Sequence, residues 1–201
     1  MRIVNKIIAI VFVFIAISFP LMAETIEGQV NFTWDKLSQT ERNLDIAQIK
    51  EKIFTENIVY EYDKEVFKKE LVDYKKDSNY KMNIIAAKLG KTNLLNRVIV
   101  PFYAKKILYG YGVIQKSDLK RCYYYTALGG LFIVEIFEKN YNDYPVVSYQ
   151  YDTKGRLTSV VYSLSEFDEY MYSADGIFLG RWYKENYYNF KGKVMMTRVL
   201  E

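Results

Sequence analysis

The sequence contains no histidine and a single cysteine among its 201 residues. Without histidine there is no Ser-His-Asp or Cys-His nucleophile arrangement, the commonest general base is missing, and most zinc sites are ruled out. Cys122 alone cannot close an internal disulfide, so stability must come from packing, and its setting in KRCYYY suits a small buried hydrophobe on a strand. An excess of one charge is lacking as well, with 28 Lys and Arg against 24 Asp and Glu. That balance does not supply the clustered positive field which nucleic acid or an anionic membrane requires. The basic pairs Lys105-Lys106 and Lys120-Arg121 read as solvated strand ends.

The glycines of YGYG and ALGGL do not follow a strand and open a helix, so they form no phosphate-binding loop. Asp143, in the turn-rich KNYNDYP, has too few carboxylate neighbours for calcium. No metal and no cofactor is expected.

One apolar run is long. The chain opens MRIVNKIIAIVFVFIAISFPLMAET, with Arg2 and Lys6 ahead of an apolar stretch from Ile7 to Ser18 and a plausible cleavage region from Pro20 to Ala23. This is the layout of a secretory signal peptide over residues 1–23. The rival is an uncleaved anchor, but Pro20 interrupts the run before the roughly 20 apolar residues that a span prefers. Cleavage would remove two of the basic residues and leave no stable membrane span.

Residues 24–100 read as a helical segment. Ser38 and Glu41 have the spacing of a capping box, and Ile46, Ile49 and Ile53 follow at helical intervals. Phe67, Leu71 and Tyr74 mark a second stretch, Met82, Ile85, Ala86 and Leu89 a third, and Gly90 is a suitable stop. From residue 101 the period changes. Sixteen of the twenty tyrosines lie in residues 101–201. KILYGYGVIQ, RCYYYTA, LFIVEIF, PVVSYQY, RLTSVVY, EYMYS, IFLGRWY and VMMTRV all read as strands, with no helical pattern between them. The expected fold class is α+β: an N-terminal helical segment packed on a C-terminal antiparallel meander.

A unit recurs within that meander. Tyr125-TAL-Gly129, Tyr151-DTK-Gly155, Tyr172-SAD-Gly176 and Tyr188-NFK-Gly192 share a tyrosine, a short polar residue, and a glycine three places further on. A small polar side chain opens a tight turn, and glycine accepts the positive φ that closes it with a bulge. Gly129, Gly155, Gly176 and Gly192 are therefore assigned to hairpin tips. The stretch YQYDTKGRLTSVVY, with Tyr151, Asp152, Gly155, Arg156 and Leu157, resembles the YD repeat of rearrangement-hotspot (Rhs) and teneurin-like proteins. The similarity covers roughly residues 123–198, and only the second copy has aspartate after the tyrosine. It implies an extracytoplasmic β-hairpin architecture. It carries over no catalytic residue, and the hairpins here are too few to close the shell that the family is known for.

Two sets of side chains are candidates for function. Glu166, Asp168 and Glu169 in SEFDEY could serve glycoside hydrolysis, or simply be charges on a surface hairpin. Tyr149, Tyr170, Trp182 and Tyr187 could stack on sugar rings or peptide, or fill the core beneath the helices. Alternation puts Tyr123 and Tyr125 on one face with Cys122 and Tyr124 opposite, and leaves Glu135 of LFIVEIF facing solvent on the sheet's open side. The reading that follows is an exported, non-catalytic binding or structural protein of the periplasm or cell exterior. Its expected partner is a protein or a cell-envelope glycan, not nucleic acid. The alternatives are a glycan-acting hydrolase using the Glu166–Glu169 region and an immunity- or antitoxin-like partner of a secreted toxin.

Overall fold

The computed structural model describes residues 38–199, so the signal-peptide assignment lies outside the described residues. Among the described residues three helices precede the strands: α1 (Gln39–Ile53), α2 (Lys64–Glu70) and α3 (Tyr80–Lys88), with a 3-10 turn at Val72–Tyr74. Ten strands follow without interruption: β1 (Arg97–Ala104), β2 (Ile107–Gln115), β3 (Asp118–Thr126), β4 (Leu131–Phe137), β5 (Val146–Asp152), β6 (Leu157–Ser165), β7 (Asp168–Ser173), β8 (Phe178–Tyr183), β9 (Asn186–Asn189) and β10 (Val194–Arg198). Each strand pairs antiparallel with the next, and β10 returns to β1, so the sheet is a closed barrel.

Closure overturns the α+β expectation of a helical segment beside an open meander. Two strands that the sequence pattern concealed make the difference. RVIVPFYA forms β1 across the boundary expected at residue 100 between the helical segment and the meander, and the short, polar NYYN forms β9. The seam is brief, with Phe102 opposite Arg198 and Tyr103 opposite Thr197. Further back along β1, the segment after α3 takes over: the Ile99 amide donates to Thr92 and the Leu94 amide to Arg97. Pro101 lies between these two stretches, where a residue without an N–H costs no ladder bond.

Helix signals in the sequence are realised locally. The Ser38 hydroxyl accepts from the Glu41 amide while the Glu41 carboxylate accepts from the Ser38 amide. Asp63 caps α2 by accepting from the amides of Glu65 and Val66. Gly90, at φ +66°, ends α3 as the Lys91 amide reaches back to the Ala86 carbonyl.

The barrel wall is dry on its outer face beneath the helices, and its lumen face holds an apolar cluster of Ile114, Cys122, Phe137 and Val146 beside a few polar side chains. Opposed residues on neighbouring strands share a face, so the pairs Tyr111–Tyr125, Tyr123–Val134, Tyr149–Val160 and Tyr162–Tyr170 form one continuous surface. Ile53, Phe67, Leu71 and Ala87 of the helical segment pack on it. Tyrosine suits this wall because the ring packs while the hydroxyl satisfies polar groups of the helices and the loops between them. Tyr172 donates to the Ile46 carbonyl (2.6 Å), Tyr151 to the Val59 carbonyl (2.9 Å), and Tyr111 to the buried Asp77 carboxylate (2.7 Å).

The four repeat glycines have φ between 74° and 80°, and each tip is built alike. In the second copy the Gly155 amide donates to the Asp152 carbonyl, the Asp152 amide donates to the Arg156 carbonyl, and the Asp152 carboxylate accepts from the amides of Lys154 and Arg156. Asn189 does the same for Lys191 and Lys193 in the fourth. Because successive turns of an up-and-down barrel alternate between its ends, all four tips fall on one rim. The repeat is a rim-building device.

Candidate functional site

The lumen side of the barrel carries the residues with chemical potential. Glu135 lies opposite Cys122 on one neighbouring strand and Gln150 on the other. It is buried, not solvent-facing as alternation on an open sheet would have it, because closure turns that face inward. Its carboxylate accepts from the Tyr124 hydroxyl (2.6 Å) and the Ser148 hydroxyl. Burial pushes the Glu135 carboxyl above the ordinary glutamate range, against the lowering effect of these hydrogen bonds. Burial also raises the Cys122 thiol well above its usual value, with the Glu135 charge adding to the effect, so the thiol is held in its unreactive form.

Glycine lets this interior hold large rings. A Cβ at Gly180 would lie 2.4 Å from the Tyr187 ring, and one at Gly112 would lie 2.8 Å from the Cys122 sulfur. Trp182 and Tyr187 face the same lumen as a directly opposed pair, with ring centroids 5.1 Å apart.

The Glu166–Glu169 region sits at the rim opposite the repeat tips, and arginine holds it. Arg181 forms a two-pronged pair with Asp168, both bonds 2.8 Å, and stacks over Tyr170 at 4.4 Å. Arg198, at the end of β10, pairs with Glu169, donates to the backbone carbonyls of Glu166 (3.0 Å) and Lys184 (3.2 Å), and lies over the Trp182 ring at 5.0 Å. Asp168 and Glu169 are neighbours in sequence but point to opposite faces of the sheet: Asp168 is bound to Arg181 on the outer face and Glu169 to Arg198 on the lumen face. They do not converge on a shared substrate position.

The four aromatic candidates divide in the same way. Tyr170 is buried on the outer wall beneath α1, its hydroxyl donating to Asp45. Tyr149, on the same wall, donates to Glu138 at 2.7 Å. Trp182 and Tyr187 point inward. The four therefore do not form one platform. Sequence reasoning missed the Tyr124–Glu135–Ser148 cluster and the two arginines. A glutamate inside LFIVEIF, and lone arginines inside FLGRWY and VMMTRV, were the available signals, since a charge on a buried strand requires a partner.

Comparison with protein-family models, with curated proteins and with solved structures finds no match for this chain. Among the described residues, no three His, Cys, Asp or Glu side chains are grouped to hold a metal.

Proposed function

We propose that this chain is an exported, non-catalytic binding or structural protein of the bacterial periplasm or cell exterior, built on tyrosine–glycine hairpins of the YD kind. The observation that carries the reading is the state of its carboxylates. Asp168 and Glu169 are each committed to an arginine, and each oxygen of Glu135 accepts from a hydroxyl inside the barrel. A general acid–base pair needs two carboxyls that face one another across a substrate, with different proton affinities. Here the acidic groups serve as struts. The leader-like N-terminus supports the extracytoplasmic part of the reading.

Purified protein lacking residues 1–23 should turn over neither glycan nor ester substrates, and D168N/E169Q should lower its thermal stability. Turnover that this double substitution abolishes would establish the hydrolase reading instead.

A further inference from the structure

We infer that the rim carrying the second repeat tip holds a binding site for a phosphate group. The site is a cavity of about 410 Å³ between α2 and the β5–β6 turn, lined by Lys64, Lys68, Lys154 and Arg156. That volume falls within the range of small-ligand pockets, roughly 300–1,000 Å³. Two segments some ninety residues apart in the chain build it, and their apposition is fixed. The Tyr62 amide donates to the Gly155 carbonyl (3.0 Å) and the Leu157 amide to the Tyr60 carbonyl (2.8 Å). Beneath them Tyr62 stacks on Phe67, with centroids 5.4 Å apart and planes 17° from parallel, and Tyr62 meets Tyr151 edge-on at 4.8 Å. The cations stand on a rigid base.

Charge accounting identifies the ligand. Lys68 is paired with Glu65 at 2.9 Å, and Arg156 with Asp152 at 2.7 Å. Among the described residues Lys64 and Lys154 have no carboxylate within ion-pair distance. Two of the four cations lining the cavity therefore stand outside any ion pair, although Glu61 lies opposite Arg156 on the adjoining segment. A phosphate monoester or inorganic phosphate, with about −1.5 to −2 charge at pH 7 and three acceptor oxygens, matches the two unpaired ammonium groups. The Lys68–Glu65 pair is solvent-exposed and easily exchanged, so Lys68 can turn to the ligand as well. A single carboxylate or a phosphodiester would leave half of the charge unmatched. The site rests on the reading of the chain as a binding protein. Enzymatic turnover would defeat that reading and leave the site standing, whereas a folded protein indifferent to phosphate would defeat the site alone.

The test is an amide-NMR titration of the protein lacking residues 1–23 with inorganic phosphate in low-salt buffer, beside K64S/K154S and a control, K81S/K88S, that removes the same charge from α3. Saturable shifts over residues 64–68 and 154–156, weakened about tenfold or more in K64S/K154S and little changed in the control, are expected. No saturation, or equal weakening in both variants, overturns the site. Vesicles containing phosphatidic acid separate the sources of the group. Binding lost in K64S/K154S assigns it to a lipid surface, and a response to inorganic phosphate without vesicle binding assigns it to a soluble ligand. Binding to phosphatidylglycerol vesicles with no response to inorganic phosphate contradicts the proposal.

Discussion

The amide of Asp77 donates to the carbonyl of Gly129 at 2.9 Å, and its neighbours complete a clasp in which the Leu131 amide donates to the Lys75 carbonyl at 3.1 Å. Tyr62 and Tyr60 hold Gly155 and Leu157 with the same offsets. In both places a short extended stretch pairs with a repeat tip, and a helix begins shortly after it. The N-terminal segment is thus fastened to the rim at two successive hairpins, and those glycines serve two purposes, turning the chain and letting the clasp approach.

These two purposes can be separated by substitution. Gly90 and Gly129 both have positive φ, but a Cβ at Gly90 meets nothing within 4 Å, whereas one at Gly129 would lie 2.7 Å from the Tyr80 Cβ. Gly90→Ala should cost only the left-handed backbone penalty, about 1–2 kcal/mol. Gly129→Ala adds a clash with the Cβ and Cγ of Tyr80, the first residue of α3, and should lower the thermal midpoint further. Chemical denaturation of both variants measures the difference, and equal losses would mean that the clasp is not close-packed.

The outer-wall tyrosines should reveal their hydroxyls. Tyr172 is fully buried, and its hydroxyl is bound to the Ile46 carbonyl. Tyr172→Phe keeps the ring and leaves that carbonyl without its donor, at an expected cost of about 1–3 kcal/mol. Tyr149→Phe, whose hydroxyl meets the exposed Glu138, should cost much less. Hydrogen exchange at α1 amides should quicken in the first variant only.

Glu135 predicts a pH signature. Its folded carboxyl is raised by burial above the unfolded value, so the folded state holds the proton more tightly. The stabilisation from that bound proton is fully present below the ordinary glutamate range and disappears as pH rises through the raised folded value. Glu135→Gln retains an acceptor for Tyr124, offers an amide to Ser148, and carries no charge. The thermal midpoint of the variant relative to the parent should therefore be higher at pH 8 than at pH 4. A difference independent of pH would show that Glu135 does not titrate in the lumen.

Much of the barrel was legible locally. The tyrosine–glycine spacing marked four tips, and the capping box marked the start of α1, because both are written in a few adjacent residues. Closure was not, because it rests on Phe102 meeting Arg198 across almost a hundred residues. That one event also decided the site, since it turned Glu135 inward and made Trp182 and Tyr187 lining, not platform. The periodicity of α3 misled for a different reason. Met82, Ile85 and Leu89 share a face that is exposed, while Asn83, Ala86 and Ala87 are buried and Tyr80 and Ile84 pack against the core.

The closed barrel itself is tested most directly at its seam. Tyr103 and Thr197 are opposed residues of β1 and β10, and such partners lie about 4.5–5.5 Å apart between Cα atoms, within disulfide reach. In an open meander of ten strands the same two would stand some 40 Å apart, at about 4.8 Å per strand. With Cys122→Ala as background, Tyr103→Cys and Thr197→Cys together should form an intramolecular disulfide under mild oxidation, giving a monomer of faster non-reducing mobility. Persistent free thiols, or cross-linked dimers in place of that monomer, would contradict the closed barrel.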